Sequence, residues 1–424
     1  MPRSADTSLS VDTVANPRGR STFRRWAVRA VLAGVALGAG TLVAHQLVAR
    51  VHLGVPLDFQ VYRGAALNMV HRGNTYHTRF TWAHLYFTYP PFALLLLSAL
   101  VVAPPLAMLA AWWMLSVLAL VVMLNLCLSE LTTLRRYDRW LVAAALGGAS
   151  CLYLQPLRSN MNFGQINFFL MLAVTYDLLR VRDRSRGVLT GLAGAIKLTP
   201  LIYAAYFLVS RARASAWRTM GVFAAAAIVG WLVLPSDSVT FWLHQAFSPE
   251  RKGNPANPLN QSWFGFAGHV FATSAVSRDI AWVALCGVTL WFGLSLARRY
   301  FNRARPVDAL LALALTEVLV SPISWAHHWS WVVLIPLVLA VRWREHPLVA
   351  ASMVVVLAAC VLAPYRWYRF SWCSHGLAYD VCGYSLVLSG AALLAVMFVA
   401  ERRGGRESPE RSAGMVPVDD ASLI

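Results

Sequence analysis

The chain has 424 residues, 58% of them hydrophobic and 13% charged, with a mean hydropathy of +0.55. Soluble domains carry about a quarter charged residues, so this composition excludes an ordinary soluble protein. The formal net charge of +18 is compatible with nucleic-acid binding. However, the basic residues flank the apolar runs, as the positive-inside rule describes, so no nucleic-acid partner is expected. Because the apolar runs are continuous rather than alternating, we predict an all-α polytopic membrane protein and not a barrel.

The first predicted span covers roughly residues 26–49 and follows a basic tail, residues 1–25. This Arg-rich tail predicts a cytoplasmic N-terminus, and a run long enough to span argues against a cleavable signal peptide. The outer loop that follows, residues 50–104, carries Asp58. Its apolar stretch "FTYPPFALLLLSALVVAPP" is short and bounded by proline pairs, so we expect a helix in the outer interface rather than a span.

Further apolar segments complete a predicted set of about ten spanning helices in a transmembrane catalytic domain covering residues 26–400. They lie at about 105–129, 140–155, 163–180, 218–234, 279–297, 307–321, 329–341, 347–363 and 383–400. The segment 187–210 has basic flanks and two apolar halves that are each too short to cross. We therefore expect a two-helix hairpin with its tip at residues 196–200. Both termini are expected in the cytoplasm, and the polar tail 401–424 is expected to be disordered.

Unusual polar and aromatic residues collect on the outer side of this topology. The candidate site residues are Asp58, Tyr62, Arg63, Tyr89, Arg158, Gln165, Asn167, Lys197, Asn260, Gln261, Trp263, Trp325, His327 and His328. Polar side chains at membrane depth are costly and tend to be functional. Because these residues all fall on one face of the predicted membrane domain, we interpret them as parts of one site.

Each of these residues also has a structural interpretation that the sequence leaves open. Asp58 could pair with Arg63, one helical turn away, and Arg158 could extend toward lipid headgroups. Lys197 could be a lone structural lysine, and the histidine pair could belong to an aromatic belt. The segment "NQSW" could be a turn that Trp263 anchors. Because all of these residues fall on one face of the predicted membrane domain, one common site explains them better than several separate structural roles do.

A single carboxylate among cationic groups suits a general base that works beside an anionic substrate. Lys197, Arg158 and the histidine pair can bind phosphate, and we expect this cationic pocket to lower the pKa of Asp58. The sequence has no HExxH motif, Walker loop or GxGxxG after a strand, so metalloprotease and nucleotide-hydrolysis functions have no support. These residues indicate a phosphate-activated donor attacked by a hydroxyl that Asp58 deprotonates.

The six cysteines do not form a metal-binding pattern, so no metal and no other cofactor is expected. Four of them lie in apolar runs, where cysteine is typically a small packing residue. Cys373 and Cys382 flank one polar loop. They could form a disulfide if that loop faces an oxidising compartment, which the sequence leaves open.

Six segments together resemble glycosyltransferase family 87, the class C transferases that use polyprenyl-phosphate-linked mannose. They are "LDFQVYRGA", "FTYPPFALLL", "QPLRSNMNFGQINFFLMLA", "GAIKLTP", "NQSW" and "SPISWAHHWSW". They occur in the family's order over about residues 57–331. The resemblance is closest to α-1,2-mannosyltransferases that act on phosphatidylinositol mannosides or lipomannan.

The resemblance implies a class C fold, a polyprenyl-phosphate-mannose donor, a glycolipid acceptor and no required metal. It further implies a plasma-membrane enzyme, in contact with membrane lipid, whose site faces outward. The family's acid falls on Asp58, which implies the general base of an inverting reaction that forms an α-linkage. The family's histidine falls on His327 or His328. Residues on matching positions, assigned here to phosphate and sugar contacts, are Arg158, Gln165, Asn167 and Lys197.

Two other functions remain open from the sequence. An arabinofuranosyltransferase that uses decaprenyl-phosphate-arabinose would have the same fold and the same kind of donor. A transporter of lipid-linked sugars belongs to a different class, and its signature would be inverted repeats with acids at mid-membrane. The hairpin around Lys197 resembles that signature superficially, but no second half of the chain repeats it.

Overall fold

The structure is a computed structural model that describes residues 17–51, 54–246, 248, 257–369 and 376–413. Nearly all of this part of the chain is helical. Its α-helices are α1 (Pro17–Val51), α2 (Leu57–Val70), α3 (Pro91–Leu97), α4 (Pro105–Leu131), α5 (Arg136–Tyr153), α6 (Gln155–Phe163), α7 (Asn167–Leu179), α8 (Val188–Ile196), α9 (Ile202–Val209), α10 (Arg213–Val233), α11 (Pro235–Thr240), α12 (Trp263–Val270), α13 (Ala275–Asn302), α14 (Pro306–Val320), α15 (Leu334–Arg342), α16 (Pro347–Leu362), α17 (Gly376–Gly383) and α18 (Ser385–Ala413).

Shorter elements connect these helices. Two strands, β1 (Arg79–Phe80) and β2 (Leu85–Tyr86), pair antiparallel with Arg79 opposite Tyr86. Four 3-10 helices and one π-helical turn occur in the described chain: Ser98–Val101, Thr199–Leu201, Ala326–Val333 and Pro364–Arg369, and Phe241–Gln245. The prediction of an all-α polytopic membrane protein is confirmed.

Six helices of the described chain are long and apolar enough to cross a membrane, and a seventh span results if the bent pair α5–α6 is counted as one. They belong to α1, α4, α10, α13, α16 and α18, and each coincides with a predicted span. The other predicted spans are also helical. They are shorter, however: α7 has 13 residues, α14 has 15, and the continuous helical stretch Ala326–Arg342 is a short apolar helix.

The two short-helix predictions are confirmed at the level of secondary structure. Helix α3 and the 3-10 helix after it end before the Pro104–Pro105 pair, so the segment is too short to span. Helices α8 and α9 form the predicted pair of short helices, and Lys197 lies at the tip between them. Both helices pack against α10.

Helix α14 lies at the centre of the bundle. Twelve of its 15 residues are buried, and it packs against α13, α18, α15 and α4. A helix that is apolar on every side must be buried or must face lipid. Helix α14 is buried in the bundle. Helices α1, α10 and α13 lie on the outside, where they expose apolar side chains such as Leu37, Leu232 and Ile280.

An 84° bend separates α5 from α6. Leu154 is extended at the bend (φ −85°, ψ 111°), and Pro156 follows in the first turn of α6. Proline has no N–H to donate and clashes with the preceding turn inside a helix, but it fits the first turn of a new one. The chain therefore bends at Leu154 instead of continuing as one helix. The bend turns α6 toward α2 and so positions the polar segment 155–167.

Some predictions concern chain that the structure describes only in part. Helix α1 begins at Pro17, inside the predicted basic tail, and α18 continues past Glu401 to Ala413. Residues 1–16 and 414–424 lie outside the described residues. Cys373 also lies outside them, so its pairing with Cys382 stays a prediction.

Candidate active site

Helix α2 presents Asp58 in its first turn. A carboxylate is favourable there because the unpaired N–H groups give a helix N-terminus a partial positive charge. The two sides of this helix also differ in burial. Phe59, Tyr62 and Ala66 are buried on the side that packs into the bundle, whereas Asp58 is half-buried. The helix therefore holds Asp58 at the edge of the packed core.

Gln165 holds the Asp58 carboxylate. Its Nε2 donates to Asp58 Oδ2 at 2.6 Å, and its Oε1 accepts from the hydroxyls of Tyr62 and Tyr89, each at 3.2 Å. The two tyrosine hydroxyls are 2.8 Å apart. This network fixes the orientation of the amide, because only its NH2 group can donate to the carboxylate.

Gly164 brings Gln165 to this position. It caps the end of α6 in the left-handed region, with φ of +69°. A Cβ at Gly164 would lie 2.9 Å from Cβ of Phe59, so glycine permits both the turn and the close approach of α6 to α2. The contact between Gln165 and Asp58 depends on that approach.

The expected lowering of the Asp58 pKa is wrong. Burial raises the pKa to about 6, and the hydrogen bond from Gln165 and the positive charge of Lys197 offset only part of that increase. Removal from water disfavours the charged form of a carboxylate. In this site its effect exceeds that of the one cation in range, because the immediate partners of Asp58 are neutral groups.

Lys197 connects the hairpin tip to the same network. It caps the C-terminal end of α8 in an extended conformation, and its Nζ lies 5.9 Å from the centroid of the Tyr89 ring. The Nζ donates to Asn167 Oδ1 at 2.9 Å. Asn167 Nδ2 in turn donates to the His327 carbonyl at 3.0 Å. A polar chain thus runs by hydrogen bonds from Asp58 through Gln165 to the Tyr89 hydroxyl, and the contact of Lys197 with the Tyr89 ring extends it to the hairpin.

The two histidines take different positions. His327 is buried, and its ring packs against Phe163 and against the ring of His328 at centroid distances of 5.6 Å and 4.7 Å. His328 lines a cavity, and its Nδ1 lies 3.2 Å from the Ile323 carbonyl. Because a carbonyl only accepts, this contact places a proton on Nδ1 of His328.

The cavity is partly open, and the space between its lining residues, including the solvent at its mouth, is about 440 Å³. The polar residues that line it are Asn167, Lys197, Thr199, Tyr203, Glu317, Ser321, Ser324, His328 and Trp331. Glu317 and Tyr203 were not predicted as site residues. An acid inside the apolar run 307–321 was the available signal, because ionisable groups in such runs are rare and tend to be functional.

Arg63 and Arg158 are directed elsewhere. Arg63 Nη1 donates to the carbonyls of Leu100 and Ala103, the second at 3.1 Å. The structure therefore does not contain the Asp58–Arg63 pair that was one open interpretation. Arg158 is half-buried on α6 and lies near Tyr365.

The "NQSW" segment is hydrogen-bonded to the protein itself. Asn260 Oδ1 accepts from the Ser324 N–H at 2.8 Å, and Gln261 Nε2 donates to the Gly383 carbonyl at 2.6 Å. Trp263 Nε1 donates to Thr289 Oγ1 at 2.8 Å. The first bond ties the segment to the loop that carries the histidines, and the other two tie it to α17 and α13. Trp325 lies in that loop, where its carbonyl accepts from the His328 N–H at 2.8 Å.

Three or more His, Cys, Asp or Glu side chains arranged to hold a metal ion do not occur among the described residues. That the reaction needs no metal stays a prediction, since the substrate could bring one with it. The chemical groups of the site are a half-buried carboxylate, a lysine, an imidazole and a set of amides and tyrosine hydroxyls. They can accept a proton at one end and bind an anion at the other.

The apolar helical bundle and this site define a polytopic membrane glycosyltransferase of class C. The family model described as glycosyltransferase family 87 matches residues 87–322. The chain belongs to this family.

Curated relatives support the same assignment. The chain is 34% identical over 299 residues to a "polyprenol-phosphate-mannose-dependent alpha-(1-2)-phosphatidylinositol mannoside mannosyltransferase" of Mycolicibacterium smegmatis, covering 64% of this chain and 66% of that relative. A protein of the same description from Mycobacterium tuberculosis is 32% identical over 368 residues, covering 81% and 82%. A "pentamannoside mannosyltransferase" of M. smegmatis is 32% identical over 263 residues, covering 61% of each chain. No solved structure matches the chain.

Proposed function

We propose that the protein transfers mannose from polyprenyl-phosphate-mannose to a glycolipid of the phosphatidylinositol mannoside type, forming an α-1,2 linkage. Family membership and the descriptions of the relatives support this donor and acceptor. The chain spans 66% of the length of the first of these relatives and 82% of the second.

In the proposed mechanism, Asp58 acts as the general base. It accepts the proton of the acceptor hydroxyl as the hydroxyl oxygen forms a bond to the anomeric carbon of mannose. The bond from that carbon to the phosphate oxygen breaks at the same time, and its electron pair leaves with polyprenyl phosphate. Attack from the face opposite the phosphate inverts a β-linked donor to an α-linked product. General base catalysis contributes on the order of 10²–10⁴-fold to such a step.

The leaving phosphate is proposed to lie near Lys197 and His328. Lys197 carries a point charge at the tip of the hairpin, and cationic groups stabilise the negative charge that develops on a departing phosphate. His328 lines the same cavity. With its Nδ1 directed at a carbonyl, a proton on Nε2 would make it a second donor to phosphate.

One observation carries this proposal: the polar chain from Asp58 to Lys197 through Gln165 and Tyr89. The proposed proton acceptor and the proposed anion-binding group then lie at separate points of one set of contacts, as a transfer from a phosphate donor to a hydroxyl requires. The positive charge of Lys197 reaches Asp58, so the two groups lie close enough to act on one substrate pair.

We place this site at the extracytoplasmic face of the plasma membrane, with both termini in the cytoplasm. The support is the distribution of basic residues, which are concentrated in the segments that this orientation places inside. No metal or other cofactor is assigned to the reaction.

The proposal is tested with purified protein in lipid nanodiscs. Radiolabelled polyprenyl-phosphate-mannose and decaprenyl-phosphate-arabinose are supplied in parallel, each with phosphatidylinositol mannosides of different lengths, with and without a chelator. We expect transfer of mannose only, insensitive to the chelator, into a product that an α-1,2-mannosidase cleaves. Transfer of arabinose in place of mannose, or no transfer of either sugar, would contradict the proposal.

A further inference from the structure

The cavity beside Lys197 has two polar atoms in its wall that the proposed mechanism does not use. Tyr203, on α9, is fully buried, and its hydroxyl has no hydrogen-bond partner in the described part of the chain. Glu317, on α14, lines the same cavity. Its Oε2 is likewise buried without a partner among the described residues.

These two groups lie close to each other and to the lysine. The Glu317 carboxylate is near enough to act electrostatically on both the Tyr203 hydroxyl and the Lys197 ammonium. The side chains of Thr199 and Trp331 donate hydrogen bonds to the carboxylate, and Oε2 is the oxygen that keeps free capacity among the described residues. Burying a polar atom without a hydrogen bond is unfavourable, and native proteins rarely do so without a reason. Two such atoms in the wall of one cavity indicate that the cavity receives a polar ligand.

The charges of the cavity restrict the chemistry of that ligand. An anion in contact with Glu317 would be repelled, and a metal cation would meet the charge of Lys197 with Glu317 as the one acidic side chain in the lining. A neutral ligand rich in hydroxyls fits both groups. A hydroxyl can donate to the carboxylate and can donate to, or accept from, the tyrosine hydroxyl. Apolar side chains such as Leu170 and Met171 line the rest of the wall, as is usual in small-ligand pockets.

We infer that Glu317 and Tyr203 form a subsite that binds hydroxyl groups of the transferred sugar, next to the phosphate held by Lys197. This inference rests on the proposed function, because it takes the ligand of Lys197 to be the donor phosphate. The sugar is bonded directly to that phosphate. A pocket that adjoins the phosphate site is therefore where the ring must lie. Asp58, outside the cavity lining, then approaches the anomeric carbon from the side of α2.

The test compares polyprenyl-phosphate-mannose with polyprenyl phosphate, which lacks the sugar and, as a phosphate monoester, carries a second ionisable oxygen. Each variant is therefore compared with the wild type on the same lipid. Their dissociation constants are measured on the full-length protein in nanodiscs, for the wild type and for the Glu317→Gln and Tyr203→Phe variants. Charged hydrogen bonds are stronger than neutral ones, so Glu317→Gln should weaken binding of the mannosyl lipid about 10-fold. Tyr203→Phe should weaken it roughly 3- to 10-fold. Binding of the bare lipid should change less than about twofold in both variants.

A control variant and a stability measurement separate ligand binding from a structural role. Glu345→Gln removes one negative charge from a half-exposed glutamate that pairs with Arg305 and Arg342 away from this cavity, and it should leave both dissociation constants unchanged. Tyr203→Phe removes a hydroxyl that has no partner within the described chain. It should therefore leave the melting temperature unchanged or raise it, while weakening only the mannosyl lipid. A tyrosine that only supported the fold would lower the melting temperature and weaken both ligands together.

The subsite is overturned if the variants keep the wild-type ratio of the two dissociation constants. This includes the case in which binding of both lipids weakens by the same factor. The proposed function is judged separately, by transfer of mannose with the same wild-type preparation. If the wild type transfers a different lipid-linked sugar, the mannose assignment fails. The subsite is then tested by the ratio of the dissociation constants for the lipid that carries that other sugar and for bare polyprenyl phosphate.

Discussion

Gln165 Nε2 lies 2.6 Å from Asp58 Oδ2, although the two residues are 107 positions apart in the chain. Two features of the backbone produce this contact: the bend before α6, and the left-handed turn at Gly164 that lets α6 approach α2. Because Gln165 is also fixed by two tyrosine hydroxyls, the carboxylate is held in one orientation before substrate arrives. Such preorganisation is what a general base needs.

Replacement of Asp58 by asparagine should reduce mannose transfer by about 10²–10⁴-fold, because the amide cannot accept the proton of the acceptor hydroxyl. The side chain keeps its size, so expression and melting temperature should stay close to those of the wild type. Asp279→Asn is the matched control, since Asp279 is half-exposed and paired with Arg278, and it should keep full activity. Normal turnover by Asp58→Asn would remove the base assignment.

The raised pKa of Asp58 predicts the acid limb of the pH–rate profile. Only the ionised carboxylate can accept a proton, and its pKa is about 6. The value of kcat/KM should therefore fall about tenfold per pH unit below roughly pH 6, and level off above it. An unperturbed aspartate would place this limb near pH 4.

The Gln165→Leu variant tests the cause of that pH dependence. The hydrogen bond from Gln165 lowers the pKa of Asp58, so its loss should move the acid limb to higher pH. A limb that stays in place while the maximum rate falls would show that Gln165 positions substrate and does not act on the carboxylate. A limb near pH 4 in the wild type would instead show that burial does not raise the pKa of Asp58.

Much of the fold could be predicted from the sequence, because hydrophobic runs and prolines act locally. The proline pairs at 90–91 and 104–105 separate a short helix from a span, and the two apolar halves around Lys197 are too short to cross. The 84° bend before α6 was not predicted. The sequence feature that indicates the bend is Pro156, in the polar segment 155–167, where the predicted span ends.

The site was predicted less completely, because burial and orientation depend on distant parts of the chain. Asp58 and Lys197 could be singled out as charged groups near apolar runs. That Gln165 and not a cation would contact Asp58 depends on how α6 meets α2, which no local pattern records. For the same reason the direction of the Asp58 pKa change was predicted wrongly. Glu317 was missed because it lay inside a run taken as a plain span.

Replacement of Lys197 by methionine should weaken binding of both polyprenyl phosphate and polyprenyl-phosphate-mannose by a similar factor. The length of the side chain is kept and the charge that faces the phosphate is lost. A charge-assisted contact of this kind corresponds to roughly 10- to 100-fold in affinity. Acceptor affinity should change little. An unchanged dissociation constant for polyprenyl phosphate would contradict the placement of the leaving group.

Gly164→Ala should destabilise the protein and reduce activity together. The left-handed backbone at φ of +69° costs a residue with a side chain about 1–2 kcal/mol, and the new Cβ would lie 2.9 Å from Phe59 Cβ. The shift that relieves this contact moves Gln165 away from Asp58. Gly221→Ala is the matched control, because nothing lies within 4 Å of a Cβ at that helical position, and alanine favours the helix. The control should keep activity and melt at the same or a higher temperature.

Cysteine labelling in intact cells tests the proposed orientation of the site. The β1–β2 turn should face outward and the loop between α7 and α8 should face the cytoplasm, since Trp82 is 78% exposed and Ser185 is exposed. In a background with Cys286, Cys373 and Cys382 changed to serine, the remaining cysteines of the described chain are buried. Trp82→Cys should then react with a membrane-impermeant maleimide, and Ser185→Cys should react only after the membrane is permeabilised.

The opposite labelling pattern would place Asp58 on the cytoplasmic side. The charge distribution of the loops would then run against the positive-inside rule. Because Trp82 lies in the same loop as Asp58, this labelling also decides from which side the acceptor lipid must approach.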